Sequence, residues 1–196
     1  FYVAGNGGKI AHYDGRPSGA GWEKIESGTE LQFLDIYGAE DDKTGEMQIL
    51  AVSTRNYPPE NHLYSIIKNT ATEISTYIPS SQYNELWSVW FIPERHYYIV
   101  GSGIYEKHLL TENGWKNGPL DYTTHSTTKI RGNNLNDIIV VGAYGEVLHY
   151  NGLNWKSFHD ETGLNNGSYS GLAFKGNLII TVGGNNALGV ITVGKR

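Results

Sequence analysis

The chain has 196 residues, 39% of them hydrophobic, which can supply the core of one large all-β domain or two small ones. Its formal net charge is −5 with no run of Lys or Arg, so the electrostatic footprint for nucleic acid or an anionic membrane surface is missing and neither is an expected partner. With no cysteine there are no disulfides, thiolate zinc sites or cysteine nucleophiles, although this leaves the compartment open.

In chain order, a strand ending in a small residue recurs as Phe1 to Gly5, Ile49 to Ser53, Tyr97 to Gly101, Ile138 to Gly142 and Ile179 to Gly183. The terminal residues are 48, 48, 41 and 41 positions apart, near the length of a four-stranded propeller blade. Upstream of four copies lies a further strand, at Leu34 to Gly38, Leu86 to Trp90, Thr128 to Gly132 and Gly171 to Gly176. These are the expected innermost strands, crowded around an axis.

Third strands follow at Lys9 to Tyr13, His62 to Lys68, Ile104 to Leu110, Glu146 to Tyr150 and Leu188 to Val193. Outer strands are expected at Trp22 to Glu26, Glu73 to Ile78, Trp115 to Asn117 and Trp155 to His159. The clearest unit is 137–158, where Asn151-Gly152 is a strong hairpin signal. Gly5, Gly8, Ile10, His12, Tyr13, Asp14 and Gly15 repeat Gly142, Gly145, Val147, His149, Tyr150, Asn151 and Gly152 at one constant offset.

The expectation is therefore an all-β propeller of four-stranded antiparallel blades, a single domain over 1–196 with repeats at about 1–30, 31–80, 81–120, 121–162 and 163–196. The first blade lacks its inner strand and the last its outer strand. Residues before Phe1 would supply both, making this the C-terminal part of a ring of about six or seven blades; a five-bladed ring with an imperfect seam is the alternative. A start at Phe1 rather than Met fits a processed or trimmed product. The apolar runs, such as Leu178 to Val182, are too short to span a bilayer.

The unit Val-Gly-x-x-Gly-x-Val-x-His-Tyr-Asn-Gly-x-x-Trp at 141–155, with its near copy from Ala4 to Trp22, resembles the repeats of bacterial secreted or surface β-propellers of the Bacteroidetes type. The resemblance implies an extracellular or cell-surface setting. It covers essentially the whole chain, but the residues that carry it build blades. They do not specify a ligand. Some relatives are labelled glucosyltransferases, yet no nucleotide-sugar motif accompanies the blades here.

Candidate residues divide by the job their position already performs. His12 and His149 sit at equivalent repeat positions, where a ring hydrogen-bonded within each blade is the simplest reading. The histidines lack metal-ligand spacing, so no metal or cofactor is expected. Glu40, Asp41 and Asp42 fit a solvated turn rather than a calcium loop. Trp87 and Trp90, on an inner strand at odd spacing, point to opposite faces; filling between blades is favoured over a sugar-stacking platform. Thr54 to Asn61 reads as a loop insertion in the second blade.

Loops around the channel mouth hold the remaining candidates: Arg55, Asn56, Tyr57, Tyr83, Tyr144, Tyr169, Asn185 and Asn186. Rings and amides together suit polar recognition of a protein or glycan. No catalytic motif stands out, so the leading expectation is a non-catalytic interaction or adhesion module. The alternative is a lectin-like or glycan-processing propeller, because glycosidase carboxylates drawn from different blades would leave no local trace.

Overall fold

In the computed structural model, residues 1–16, 21–56, 59–74, 78, 85–117 and 123–195 are described. The first sheet comprises β1 (Tyr2–Ala4), β2 (Ile10–Tyr13) and β3 (Trp22–Ile25); the second β4 (Gln32–Glu40), β5 (Met47–Asn56), β6 (Pro59–Ile67) and β7 (Thr70–Glu73). β8 (Leu86–Ile92), β9 (His96–Gly101), β10 (Gly103–Lys107) and β11 (Lys116–Asn117) form the third. The fourth holds β12 (Thr127–Asn134), β13 (Asp137–Gly142), β14 (Val147–Tyr150) and β15 (Trp155–Ser157); the fifth holds β16 (Gly167–Lys175), β17 (Leu178–Asn185) and β18 (Leu188–Lys195). Each sheet is an antiparallel meander in chain order, so short turns can make its connections.

The sheets pack face to face in sequence order because the middle strands are apolar on both sides. All six residues of β13, Asp137–Gly142, are buried. Ile139 and Val141 pack with Tyr169 and Leu164 toward the fifth sheet, while Ile138 and Val140 pack with Trp90 and Tyr98 toward the third. Leu50, Val52, Val89 and Ile99 fill the seam between second and third sheets, and Ile10, Ile25, Phe33 and Tyr64 that between first and second. Burying each such aliphatic side chain contributes roughly 1.5–3 kcal/mol, so the seams dominate cohesion. The five antiparallel sheets fit a β-propeller.

Several sequence expectations need correction. Thr54 to Asn61 is no loop insertion: β5 and β6 continue pairing through Thr54–Asn61 and Arg55–Glu60 to Asn56–Pro59. The long hairpin carries the ladder through the segment read as an insertion. The outer strand of the second sheet starts at Thr70, straight after a tight turn in which Lys68 adopts φ 54°, rather than at Glu73. The end of the fourth outer strand turns instead into α1 (His159–Thr162), closed by Gly163 at φ 65°.

The two end sheets have three strands each among the described residues, as the repeat count predicts. Their outward faces are apolar. Val182, Ile191 and Val193 are 41%, 72% and 63% exposed, and Val3 on the first sheet is 48% exposed.

Candidate functional site

The inner strands β4, β8, β12 and β16 share a register break. Pairing skips one residue between Phe33 and Asp35, Leu86 and Ser88, Thr127 and Lys129, and Tyr169 and Gly171. A bulge of this kind re-aims the side chains that follow it. It places Asp35, Ser88, Lys129 and Gly171 at one equivalent position around the axis, at the end where the inner strands begin. We call this end the upper face.

A charged cluster occupies the position. Asp35 accepts hydrogen bonds from the Ser88 hydroxyl, from Val89 N at 3.2 Å and from Lys129 Nζ at 2.9 Å. Arg131 closes on both carboxylate oxygens, Nη1 to Oδ2 and Nη2 to Oδ1, each at 2.9 Å, a bidentate pair. Its guanidinium also lies 5.4 Å from the Tyr37 ring centroid. Three sheets are thereby tied together, since Asp35 comes from the second, Ser88 from the third and both cations from the fourth.

Burial works to raise the Asp35 carboxyl, but the hydrogen bond and charge of Arg131, then the charge of Lys129 and the Ser88 hydroxyl, outweigh it and hold the group below the usual carboxylate range. Asp35 thus stays ionised, and the cluster has two cations against one carboxylate. The Asp35 side chain is only 6% exposed, whereas Lys129 and Arg131 retain 19% and 22%. The two cations are thus the more exposed members of the cluster.

The same face carries a ring of polar loops. His125 lies 5.0 Å from the Tyr144 ring and 5.2 Å from His159, centroid to centroid. Buried Glu146 accepts from the Ser157 hydroxyl at 2.7 Å and sits 3.5 Å from His125 Nδ1. Among the described residues no group of three His, Cys, Asp or Glu side chains is placed to hold a metal ion. No described helix is long and apolar enough to cross a membrane.

The sequence candidates fall in different places. Tyr144 is half-exposed at the loop tip, at φ 56°, and donates its backbone N–H to Gly167 O at 2.6 Å. Asn186 occupies the β17–β18 turn at φ 55°, and Asn185 ends β17 with its side-chain oxygen enclosed and without a partner. Arg55 is in a strand and forms an ion pair with Glu60; Asn56 closes the same hairpin opposite Pro59. Tyr57 and Tyr83 lie outside the described residues.

Tyr169 is not a loop residue: it is buried in β16, its hydroxyl 2.7 Å from Thr192 Oγ1. Trp90 is 1% exposed and packs between sheets against Tyr98 and Gly132, whereas Trp87, at the bulge, is 37% exposed. Only Trp87 of the pair presents its ring to solvent. Asp35, Lys129 and Arg131 were not singled out from the sequence, although charged residues inside expected inner strands were the available signal.

No family model matches the chain, and no curated protein does. Among solved structures it is similar to one described as YCF48 bound to D1 peptide, at a TM-score of 0.68 and 14% identity. The match covers all of this chain and 60% of that one. At that identity the likeness concerns the fold, which is the β-propeller class; the chain spans 60% of the neighbour's length.

Proposed function

We propose that the protein is a non-catalytic β-propeller module that binds a segment of another protein on its upper face, with Lys129 and Arg131 receiving an acidic side chain or chain-end carboxylate. The carrying observation is the charge count at the axis, two partly exposed cations on one buried carboxylate. A propeller of the same fold, YCF48, was solved bound to D1 peptide, which supports a peptide as the kind of partner. The extracellular or cell-surface setting implied by the repeat resemblance belongs to the same proposal.

Fluorescence-anisotropy titration of a library of acidic-ended peptides tests this reading. At least one should bind saturably, more weakly at high salt, and Lys129→Ala should lower its affinity at least about tenfold, as expected for a hydrogen bond to a charged group. Unchanged affinity in a folded Lys129→Ala variant, or a preference for basic peptides, would overturn it.

The ring itself, in this proposal, is completed by further sheets of the same kind. Val182, Ile191 and Val193 stand at positions equivalent to Val141, Val147 and His149, which in the fourth sheet face the next sheet. The expected native mass exceeds 21.7 kDa by whole blades; an intact mass of 21.7 kDa from the source organism would contradict closure.

A further inference from the structure

Opposite the upper face, a cleft of about 530 Å³ opens between the third and fourth sheets, walled by His96, Tyr98, Glu106, His108, Tyr150 and Trp155. Its origin is a variation on the repeat. In the fourth sheet His149 on β14 bonds Asp137 on β13 through Nε2 at 3.0 Å. At the equivalent place in the third sheet the partners are exchanged: the carboxylate, Glu106, is on β10, and the imidazole, His96, is on β9, again 3.0 Å-class geometry at 3.1 Å. His149 of the fourth-sheet pair lines a different cleft, where Phe158 is the one other ring among the described aliphatic, threonine and charged side chains. The exchanged pair faces aromatic rings.

The cleft combines flat apolar walls with polar groups that keep bonding capacity. His96 stacks on Tyr98 at 4.4 Å and 7°, His108 meets His96 edge-on at 4.5 Å, and Tyr150 lies 5.1 Å from Trp155. Glu106 retains 33% side-chain exposure while accepting one bond from His96. A carboxylate has about four lone-pair sites, so that bond leaves room for others. His108 is exposed, and the Asn136 amide lies at the same opening.

Charge narrows the ligand class. The His96 hydrogen bond, opposed by burial and helped by the charges of His96, His108 and Lys116, keeps Glu106 below the usual carboxylate range. Lys116 stands directly across the β10–β11 ladder from it. Among the described residues the lining itself holds one carboxylate and no Lys or Arg, so the cleft lacks the two-cation surplus of the axial cluster. The volume falls inside the roughly 300–1,000 Å³ typical of small-molecule sites. Aromatic faces, a lining without Lys or Arg, and unspent acceptors and donors together match a neutral polyhydroxylated ring.

We infer that this cleft is a binding site for a neutral saccharide, stacked on the Trp155 and Tyr150 wall and hydrogen-bonded by Glu106 and His108. The site is separate from the upper face and stands independently of the peptide reading. Saturation-transfer NMR with the methyl glycosides of glucose, galactose, mannose and N-acetylglucosamine provides the test. At least one should bind saturably. Glu106→Gln should weaken it at least about tenfold, the scale of a lost charge-assisted bond. His108→Ala, an exposed change that leaves the Glu106–His96 bond in place, should weaken it about threefold or more. Absence of saturable binding, binding unchanged in His108→Ala, or saturation by a lysine-rich peptide in place of the glycosides would overturn the assignment.

Discussion

At the scale of single residues, Asp35 shows how a buried charge is kept. Desolvation opposes its ionised form, and the paired cations, the Ser88 hydroxyl and the Val89 N–H offset it. Removing the carboxylate charge alone would leave Lys129 and Arg131 facing each other without compensation. Asp35→Asn should therefore lower unfolding stability by about 3 kcal/mol or more, measured by urea denaturation at neutral pH. Because the folded-state acidity of Asp35 is strengthened, its contribution is present above the unfolded value near 3.8 and is lost as pH falls through the lower folded value. Wild type should lose stability across that acid window, and Asp35→Asn should lose less there. An equal acid dependence would show that other carboxylates carry it.

At the scale of elements, one glycine position explains much of the repeat. A Cβ at Gly101, Gly142 or Gly183 would lie 1.7, 2.2 or 2.0 Å from a backbone carbonyl oxygen just before or within the paired inner strand, those of Glu85, Ser126 and Ser168. The glycine at the end of this strand in the third, fourth and fifth sheets is thus set by close backbone approach, whereas a Cβ at Gly5 would meet nothing within 4 Å. Ser53 takes the same place in the second sheet, buried with its hydroxyl unpartnered. This spacing is what made the strands legible in sequence. The bulges were not legible, because one extra residue shifts the two-residue alternation that sequence reading relies on. Reading Tyr169 as a loop residue failed for a related reason: the glycines and polar residues around it look like a turn, yet β16 begins at Gly167 and buries the ring.

At the scale of the whole molecule, the proposed binding face is assembled from residues far apart in the chain. Lys129 and Arg131 stand 94 and 96 residues from Asp35, so no local pattern could announce their meeting. Sequence reasoning put its candidates on loops at the end where the inner strands begin, since turn residues mark it, and favoured Tyr and Asn at loop tips over charges on the inner strands. The second sheet contributes Asp35, the third Ser88 and the fourth both Lys129 and Arg131, and only the stacking of the sheets brings them together. The most direct test is a crystal structure with the tightest acidic-ended peptide from the titration. A peptide carboxylate within about 2.7–3.2 Å of Lys129 Nζ or the Arg131 guanidinium is the predicted result. A peptide seated on the outer strands, with the axial cations untouched, would contradict the assignment of the upper face.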